Sequence, residues 1–138
     1  MDYLNKLFIM ENDSLKGKKI LIVEDDLSSR LYLNKILERS EVVALNAGDG
    51  QQAFDMTMEN PDIDIILLDI QLPVMDGYET AKRIREFRKD IIIIAQTAYG
   101  LMDEKDKIME SGFDDYLIKP IISQLLIEKL KSNLARKG

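Results

Sequence analysis

Short, unbroken runs of aliphatic residues recur along this chain and alternate with segments whose apolar residues are spaced as on a helix. The purest runs are Ile20–Val23, Ile65–Leu68 and Ile91–Ile94, and mixed or shorter ones are Glu41–Ala47 and Tyr116–Ile118. A strand that is apolar at every position is buried on both faces, as in parallel sheets covered by helices on both sides. The pattern therefore predicts five successive βα units.

Five such units predict an α/β domain with a doubly wound, five-stranded parallel sheet. The first, third and fourth strands are the most apolar, so we expect them at the centre, in the flavodoxin-like order 2-1-3-4-5. The length of 138 residues suits one domain. We assign it to residues 17–137 and take residues 1–16 as an N-terminal extension or linker.

Apolar stripes mark the helices that are expected to cover the sheet. The first predicted helix carries Leu31, Leu33, Ile36 and Leu37, and the last carries Ile122, Leu126, Leu130 and Leu134. Within the extension, helical spacing would place Tyr3, Leu4, Leu7 and Phe8 on one face. A linker, a docking helix and a dimerisation helix all stay open for this segment.

The sequence contains neither histidine nor cysteine. This excludes disulfides, thiolate metal sites and histidine-based catalytic dyads, so chemistry must use carboxylates, hydroxyls, lysine and hard metal ions. The net charge of −6 opposes binding to nucleic acid or to an anionic membrane. The apolar runs are far shorter than the roughly 20 residues needed to span a bilayer. We therefore expect a soluble cytoplasmic domain.

Polar residues follow the strands that are expected to form and flank the centre of the sheet. They are Glu24-Asp25-Asp26 after the first strand, Asp69 after the third, Gln96-Thr97-Ala98 after the fourth and Lys119-Pro120 after the fifth. Each alone could be a helix cap or a solvated loop residue. Together they place several carboxylates, a hydroxyl and an ammonium around one crevice. Carboxylates crowded in this way repel each other unless a cation lies between them, which predicts a site for Mg²⁺.

These motifs resemble the receiver domain of two-component response regulators. The matching segments are Ile20–Asp25, Leu67–Gly77, Gln96–Ala98 and Asp115–Pro120, in family order and at family-like spacing. The resemblance covers nearly everything from residue 17 onward. It implies a domain that accepts a phosphoryl group from the phosphohistidine of a histidine kinase or histidine phosphotransfer domain. Phosphorylation would then switch a face that binds a downstream protein partner.

The resemblance implies an acceptor and a metal site. Asp69 would be the phosphoacceptor. Asp25 and Asp69 would ligate Mg²⁺ directly, with the backbone carbonyl of Gln71 and with Mn²⁺ as a substitute ion. Glu24 would hold the ion largely through water. The pair Glu24-Asp25 stands where many relatives have two aspartates, and this Glu-Asp variant is common in the family.

Catalytic and switching roles follow from the same resemblance. Thr97 would offer its hydroxyl to a phosphoryl oxygen, and Lys119 would supply positive charge. The Lys119–Pro120 bond matches the family's cis peptide. Tyr116 would be the switch aromatic, which turns inward when phosphorylated Asp69 draws Thr97 toward it.

Two positions that flank the expected site are predicted to set the lifetime of the phosphoryl group. Gln71 lies two residues after Asp69, and Tyr99 lies two residues after Thr97. In the family that the chain resembles, side chains at these positions control the access of water to the acyl phosphate. The bulk of Tyr99 leads us to expect slow dephosphorylation.

Other interpretations of the same residues are weaker. Gly48–Ala53 fits a dinucleotide-binding G-x-G-x-x-A pattern, but that reading leaves the other strand-end residues unexplained. An aspartyl-phosphate phosphohydrolase would need a second Asp where Gln71 stands, and a third alternative is a degenerate receiver that only binds a partner. We expect no independent turnover beyond self-phosphorylation and autodephosphorylation. A stand-alone receiver or part of a hybrid sensor histidine kinase, and a monomer or homodimer, stay open.

Overall fold

The computed structural model describes residues 14–98 and 102–137. The described strands are β1 Lys19–Val23, β2 Val43–Ala47, β3 Ile65–Asp69, β4 Ile92–Thr97 and β5 Asp115–Ile118; the helices are α1 Leu27–Arg39, α2 Gly50–Glu59, α3 Gly77–Phe87, α4 Met102–Glu110 and α5 Ser123–Lys137. All neighbouring strands pair in parallel in the order β2-β1-β3-β4-β5. This confirms the predicted fold. None of the helices in the described ranges is both long and apolar enough to cross a membrane.

The central strands supply two hydrophobic cores, because side chains along a strand alternate between its faces. One core packs β1, β3 and β4 against Ala53 of α2, Ile84 of α3 and Ile108 of α4. The other packs the opposite faces of these strands against Leu33 of α1 and Leu126 of α5. Burial on both faces is what the unbroken aliphatic runs predicted.

Two residues assigned to the apolar stripes lie in solvent instead. Leu31 is 62% exposed and Ile122 is 64% exposed. Residues on a helix are about 100° apart, so Leu31 lies roughly 160° around α1 from the buried Leu33. A spacing of four drifts by about 40° at each step, and Ile122 also precedes the start of α5. The prediction that all apolar residues at helical spacing are buried is therefore wrong for these two residues.

Aspartate side chains cap the first three helices at the carboxyl edge of the sheet. Asp26, Asp49 and Asp76 precede α1, α2 and α3, and each accepts a hydrogen bond from a backbone N–H in the first turn. Such caps satisfy donors that the helix itself leaves unpaired. For Asp49, the bond from the N–H of Gln52 is 2.7 Å long. The segment Gly48–Ala53, which fits the dinucleotide-binding pattern, is therefore the capped start of α2.

Gly77 allows α3 to begin directly against the end of β3. A Cβ atom at this position would lie 2.5 Å from the backbone oxygen of Asp69 and 2.6 Å from the Cα of Ile70. The N–H of Gly77 also donates a 2.8 Å hydrogen bond to the carbonyl of Ile70. The backbone that carries Asp69 is thus packed against the first turn of α3.

We predict that Gly77→Ala lowers the free energy of unfolding by about 2 kcal/mol, because the added methyl group must displace backbone atoms. Gly48→Ala is the matched control, since the nearest atoms to its Cβ position are side-chain atoms 3.7 Å away. Urea unfolding of both variants measures the difference. Equal stability of the two variants would contradict the close packing described for Gly77.

Candidate functional site

Three of the predicted carboxylates meet at the carboxyl edge of the sheet. Ligand oxygens of Glu24, Asp25 and Asp69 all lie within 4.8 Å of one another. Glu24 and Asp69 are buried, whereas Asp25 is exposed. The edge therefore holds an acidic pocket with one side open to solvent.

Lys119 joins the two buried carboxylates from the end of β5. Its Nζ donates to Oδ2 of Asp69 at 2.7 Å and to Oε2 of Glu24 at 3.1 Å. The second oxygen of each carboxylate accepts from a backbone N–H: Asp69 from Gln71 at 3.0 Å, and Glu24 from Asp26 at 3.2 Å. Both oxygens of each carboxylate are thereby oriented. The pocket geometry rests on one ammonium group and two loop N–H groups.

The charges in the pocket are out of balance. Burial raises the pKa of Glu24, and the negative charge of Asp69 raises it further, while the contacts with Lys119 and the N–H of Asp26 offset this only in part. Burial alone would lower the pKa of Lys119, but its hydrogen bonds and charge interactions with Asp69 and Glu24 outweigh that effect and raise it. Among these residues, three carboxylates are accompanied by one ammonium, so negative charge exceeds positive charge.

A divalent cation fits this donor set. Carboxylate oxygens are the ligands that Mg²⁺ favours, commonly one or two of them together with water and a phosphate oxygen. The exposed Asp25 and the buried Asp69 each offer a carboxylate oxygen, and these oxygens lie within 4.8 Å of each other. A cation bound there would offset the burial of Glu24 and its repulsion by Asp69, the two causes that raise the pKa of Glu24.

Three further predicted site residues, Thr97, Tyr116 and Pro120, lie on β4 and β5 or shortly after β5. Thr97 ends β4 and is buried, and its carbonyl accepts a 2.7 Å hydrogen bond from the N–H of Lys119. The peptide bond between Lys119 and Pro120 is cis. Tyr116 is half-buried on β5, where it pairs with Ala95 of β4. Tyr116 therefore lies on the strand next to β4, two residues before the position that pairs with Thr97.

Tyr116 is held by charged groups of α4 and α5. The Nζ of Lys129 lies 4.6 Å from the centre of its ring, and the Nζ of Lys105 lies 6.0 Å from it. Lys129 also donates to the carbonyl of Tyr116 and to a carboxylate oxygen of Asp115. The aromatic side chain therefore lies in a cationic environment on the surface formed by α4, β5 and α5.

Of the two residues expected to set the lifetime of the phosphoryl group, only Gln71 lies within the described part of the chain. Gln71 lies at the pocket with its side chain exposed and its N–H directed at Asp69. Tyr99 lies outside the described residues. Its effect on lifetime stays a prediction.

Sequence reasoning missed a set of exposed apolar residues on α1 and just before α5, one of which, Tyr32, lines the same cavity as Lys119. We name Leu27, Leu31, Tyr32 and Ile122 the apolar mouth; all four are exposed. The hydroxyl of Tyr32 donates to the carbonyl of Ile121 at 2.8 Å, which ties α1 to the loop before α5. The periodic pattern concealed this surface because it assigned Leu31 and Ile122 to the core.

Gln96 was noted in the sequence only as part of a motif. Its side chain is buried beneath a cavity of about 500 Å³ that Tyr32 and Lys119 also line. Neither its amide nitrogen nor its amide oxygen has a hydrogen-bond partner among the described residues. A buried amide in this state is uncommon, because each unmade hydrogen bond costs free energy.

Comparison with known proteins identifies the family. The profile described as "Response regulator receiver domain" matches residues 20–131. The chain is 38% identical to transcriptional regulatory protein SrrA of Staphylococcus aureus, over 87% of this chain and 49% of SrrA. It is 35% identical to hybrid signal transduction histidine kinase I of Dictyostelium discoideum, over 86% of this chain and 7% of the kinase. The chain therefore spans half or less of the length of these relatives.

A solved structure gives the same result for the fold. The receiver domain of Ssk1 from Saccharomyces cerevisiae, crystallised with the histidine phosphotransfer protein Ypd1, matches with a TM-score of 0.83 and 31% identity. The match covers 90% of this chain and 94% of that one.

We predict that Glu24→Gln raises the stability of the metal-free protein at pH 7.5. The pKa of Glu24 is raised in the folded state, so its ionised form is unfavourable there, and the substitution removes that charge. The gain should be full above the raised pKa. It should disappear below the ordinary value of 4.5, where both folded and unfolded chains carry the proton.

Urea unfolding of metal-free protein at pH 7.5 and at pH 4 measures this gain. Glu79→Gln removes the same charge from a half-exposed pair with Arg83 and is the control. A Glu24→Gln variant that is less stable than the parent chain at pH 7.5 would contradict the prediction.

Proposed function

The chain belongs to the response regulator receiver domain family, and from this premise we propose that Asp69 is the residue that carries the phosphoryl group. Receiver domains are the phosphoacceptors of two-component signalling. The observation that carries the assignment is the geometry of Asp69: it ends a central strand, and Lys119 and a backbone N–H orient both of its oxygens. We assign the receiver domain to residues 17–137.

In the proposed reaction, an oxygen of Asp69 attacks the phosphorus of a phosphohistidine on a partner protein. The new O–P bond forms as the P–N bond breaks, and the electron pair of that bond stays on the imidazole nitrogen of the partner. The product is an aspartyl phosphate, an acyl phosphate. The absence of histidine from this chain means that the donor must be another chain or a domain outside this sequence.

The barrier to this transfer is mainly electrostatic, since an anionic oxygen must approach an anionic phosphoryl group. Lys119 keeps a fixed positive charge 2.7 Å from Asp69. Glu24, Asp25 and Asp69, with the backbone carbonyl of Gln71, would hold Mg²⁺ or Mn²⁺. Bound there, the ion would supply further positive charge next to the phosphoryl oxygens.

The proposed switch connects the pocket to the surface formed by α4, β5 and α5. The hydroxyl of Thr97 would bind a phosphoryl oxygen, and Tyr116 would turn into the space that Thr97 vacates. This redistributes two conformational states, driven by the charge of the aspartyl phosphate. Gln71 and Tyr99 would limit the access of water to that phosphate and so set its lifetime.

We assign the apolar mouth to docking of the phosphodonor. It flanks the pocket and is apolar, whereas the chain as a whole carries a net charge of −6. The yeast receiver domain similar to this chain was crystallised with a histidine phosphotransfer protein, which supports this kind of partner. An exposed apolar patch beside a reactive group fits a protein donor better than a small one.

The degenerate receiver and the phosphohydrolase are disfavoured alternatives. The acidic residues and Lys119 expected of an active receiver lie together, and Thr97 ends the strand next to β3, which supports an active receiver. The exposed residue two positions after Asp69 is Gln71, which has no proton to exchange near neutral pH. We propose a cytoplasmic location for the domain. It would act there either alone or as part of a larger kinase or transcription factor.

We predict that incubation with acetyl phosphate and Mg²⁺ adds one phosphoryl group, and that Asp69→Asn abolishes this adduct. The substitution keeps the shape of the side chain but removes the anionic nucleophile. Intact mass with and without Mg²⁺ measures the adduct. Asp55→Asn changes an exposed aspartate of α2 and should leave labelling unchanged.

Two outcomes would count against this assignment. An adduct retained in Asp69→Asn would show that another residue is the nucleophile. If the parent chain forms no adduct and also fails to bind beryllium fluoride, the degenerate receiver becomes the better interpretation.

We predict that Leu31→Ser slows phosphotransfer from phosphorylated Ypd1, used as a probe donor, by about tenfold, because docking loses an apolar contact. The rate with acetyl phosphate should not change, since that small donor needs no docking surface. Phe87→Ser removes a similarly exposed apolar side chain at the far end of α3 and is the control. Equal slowing with both donors would show that Leu31 acts on the pocket itself.

A further inference from the structure

A groove runs between α1 and α5, on the same side of the sheet as the apolar mouth. It extends to the C-terminal ends of both helices, which we call its lower end. Its volume is about 920 Å³. Ile36 and Ile127 form an apolar floor that continues into the core beneath α1 and α5. Arg39 and Lys131 line it with positive charge, against one acidic lining residue, Glu128. An occupant should therefore be apolar on one side and carry a net negative charge.

The described chain begins beside this groove. Leu15 is fully buried in the same core as Ile36. The N–H of Gly17 donates a 3.0 Å hydrogen bond to the carbonyl of Glu41, so the turn before β1 lies against the end of α1. Ser40, the residue before Glu41, lines the groove. Residues 1–13 therefore join the domain within a few residues of the groove's lower end.

The composition of residues 1–13 matches what the groove requires. Apolar residues at helical spacing are Tyr3, Leu4, Leu7 and Phe8. Three acids and one lysine give the segment a side-chain charge of −2, opposite to the charge of the groove: the acids are Asp2, Glu11 and Asp13, and the lysine is Lys6. The length also fits. Thirteen residues would span roughly 20 Å as a helix, and α5 rises roughly 18 Å from Ser123 to Ala135, the two ends of the groove.

We propose that residues 1–13 of this chain cover the α1–α5 groove, with their apolar face against Ile36 and Ile127. The contact is intramolecular and leaves the acidic pocket, the apolar mouth and the surface around Tyr116 open. It would fix the direction in which the chain enters the domain. The proposal does not depend on the phosphoacceptor role.

Thiol labelling tests this proposal in the full chain, because a chain without cysteine gives a single reporter for each introduced thiol. Ala135→Cys places the reporter in the groove at an exposed position. We expect alkylation by iodoacetamide to be about tenfold faster when Leu7→Ser and Phe8→Ser are added, since the segment then loses its apolar contact. Gln124→Cys reports from the other end of the groove and should show the same direction of change.

Two controls separate covering of the groove from general effects. Asn5→Ser changes the same segment at a polar position and should leave labelling as slow as in the parent chain. Lys82→Cys places a thiol on α3, on the opposite side of the sheet, and its labelling should not respond to Leu7→Ser and Phe8→Ser.

Equal labelling rates with and without the two serine substitutions at both groove reporters would overturn the proposal. Protection that disappears on dilution would overturn it too, because the occupant would then be a second copy of the chain. Protection that is independent of concentration and lost in Leu7→Ser/Phe8→Ser supports it.

Discussion

The approach of two buried carboxylates under one lysine is the interaction on which the rest of this structure depends. Asp69 and Glu24 lie at the ends of neighbouring strands and would repel each other without Lys119, which binds both. Their remaining oxygens are held by backbone N–H groups of the loops that follow the strands. Burial and the charge of Asp69 nevertheless raise the pKa of Glu24, so its ionised form is unfavourable in the folded state. Because negative charge is crowded in this pocket, binding of a cation is favourable, and the bound cation would in turn favour a phosphoryl group.

The surrounding fold keeps these two carboxylates close together. The strands beneath the pocket are aliphatic on both faces and pack against helices on each side, so the ends of β1 and β3 have little freedom to separate. Capped helix starts bring α1, α2 and α3 to the same edge. At Gly77, the backbone of α3 approaches Asp69 more closely than any side chain would allow. Stability supplied by the core thus offsets a cost at the site.

The functions proposed for the domain lie on different surfaces. The apolar mouth borders the pocket at α1 and the start of α5, where a donor protein would reach Asp69. Tyr116 and its neighbouring lysines lie on the surface of α4, β5 and α5, where a change of state would be read by a partner. The groove between α1 and α5 lies near Leu15, close to where the described chain begins, and is the surface proposed to bind residues 1–13. Donor docking, output and the contact proposed for residues 1–13 can therefore take place without competing for one face.

Much of the fold and the chemical residues of the site could be predicted from the sequence, because both depend on local patterns. Unbroken aliphatic runs predict parallel strands buried on both faces, and the order of polar residues after those strands placed Glu24, Asp25, Asp69 and Lys119 at one edge. Only the tertiary structure decided which oxygen each donor binds and that Leu31 and Ile122 are exposed. It also decided that the side-chain amide of Gln96 is buried with no hydrogen-bond partner among the described residues. These features depend on the rotation of each helix against the sheet and on distances between elements far apart in sequence. A periodicity of apolar residues carries no information about either of them.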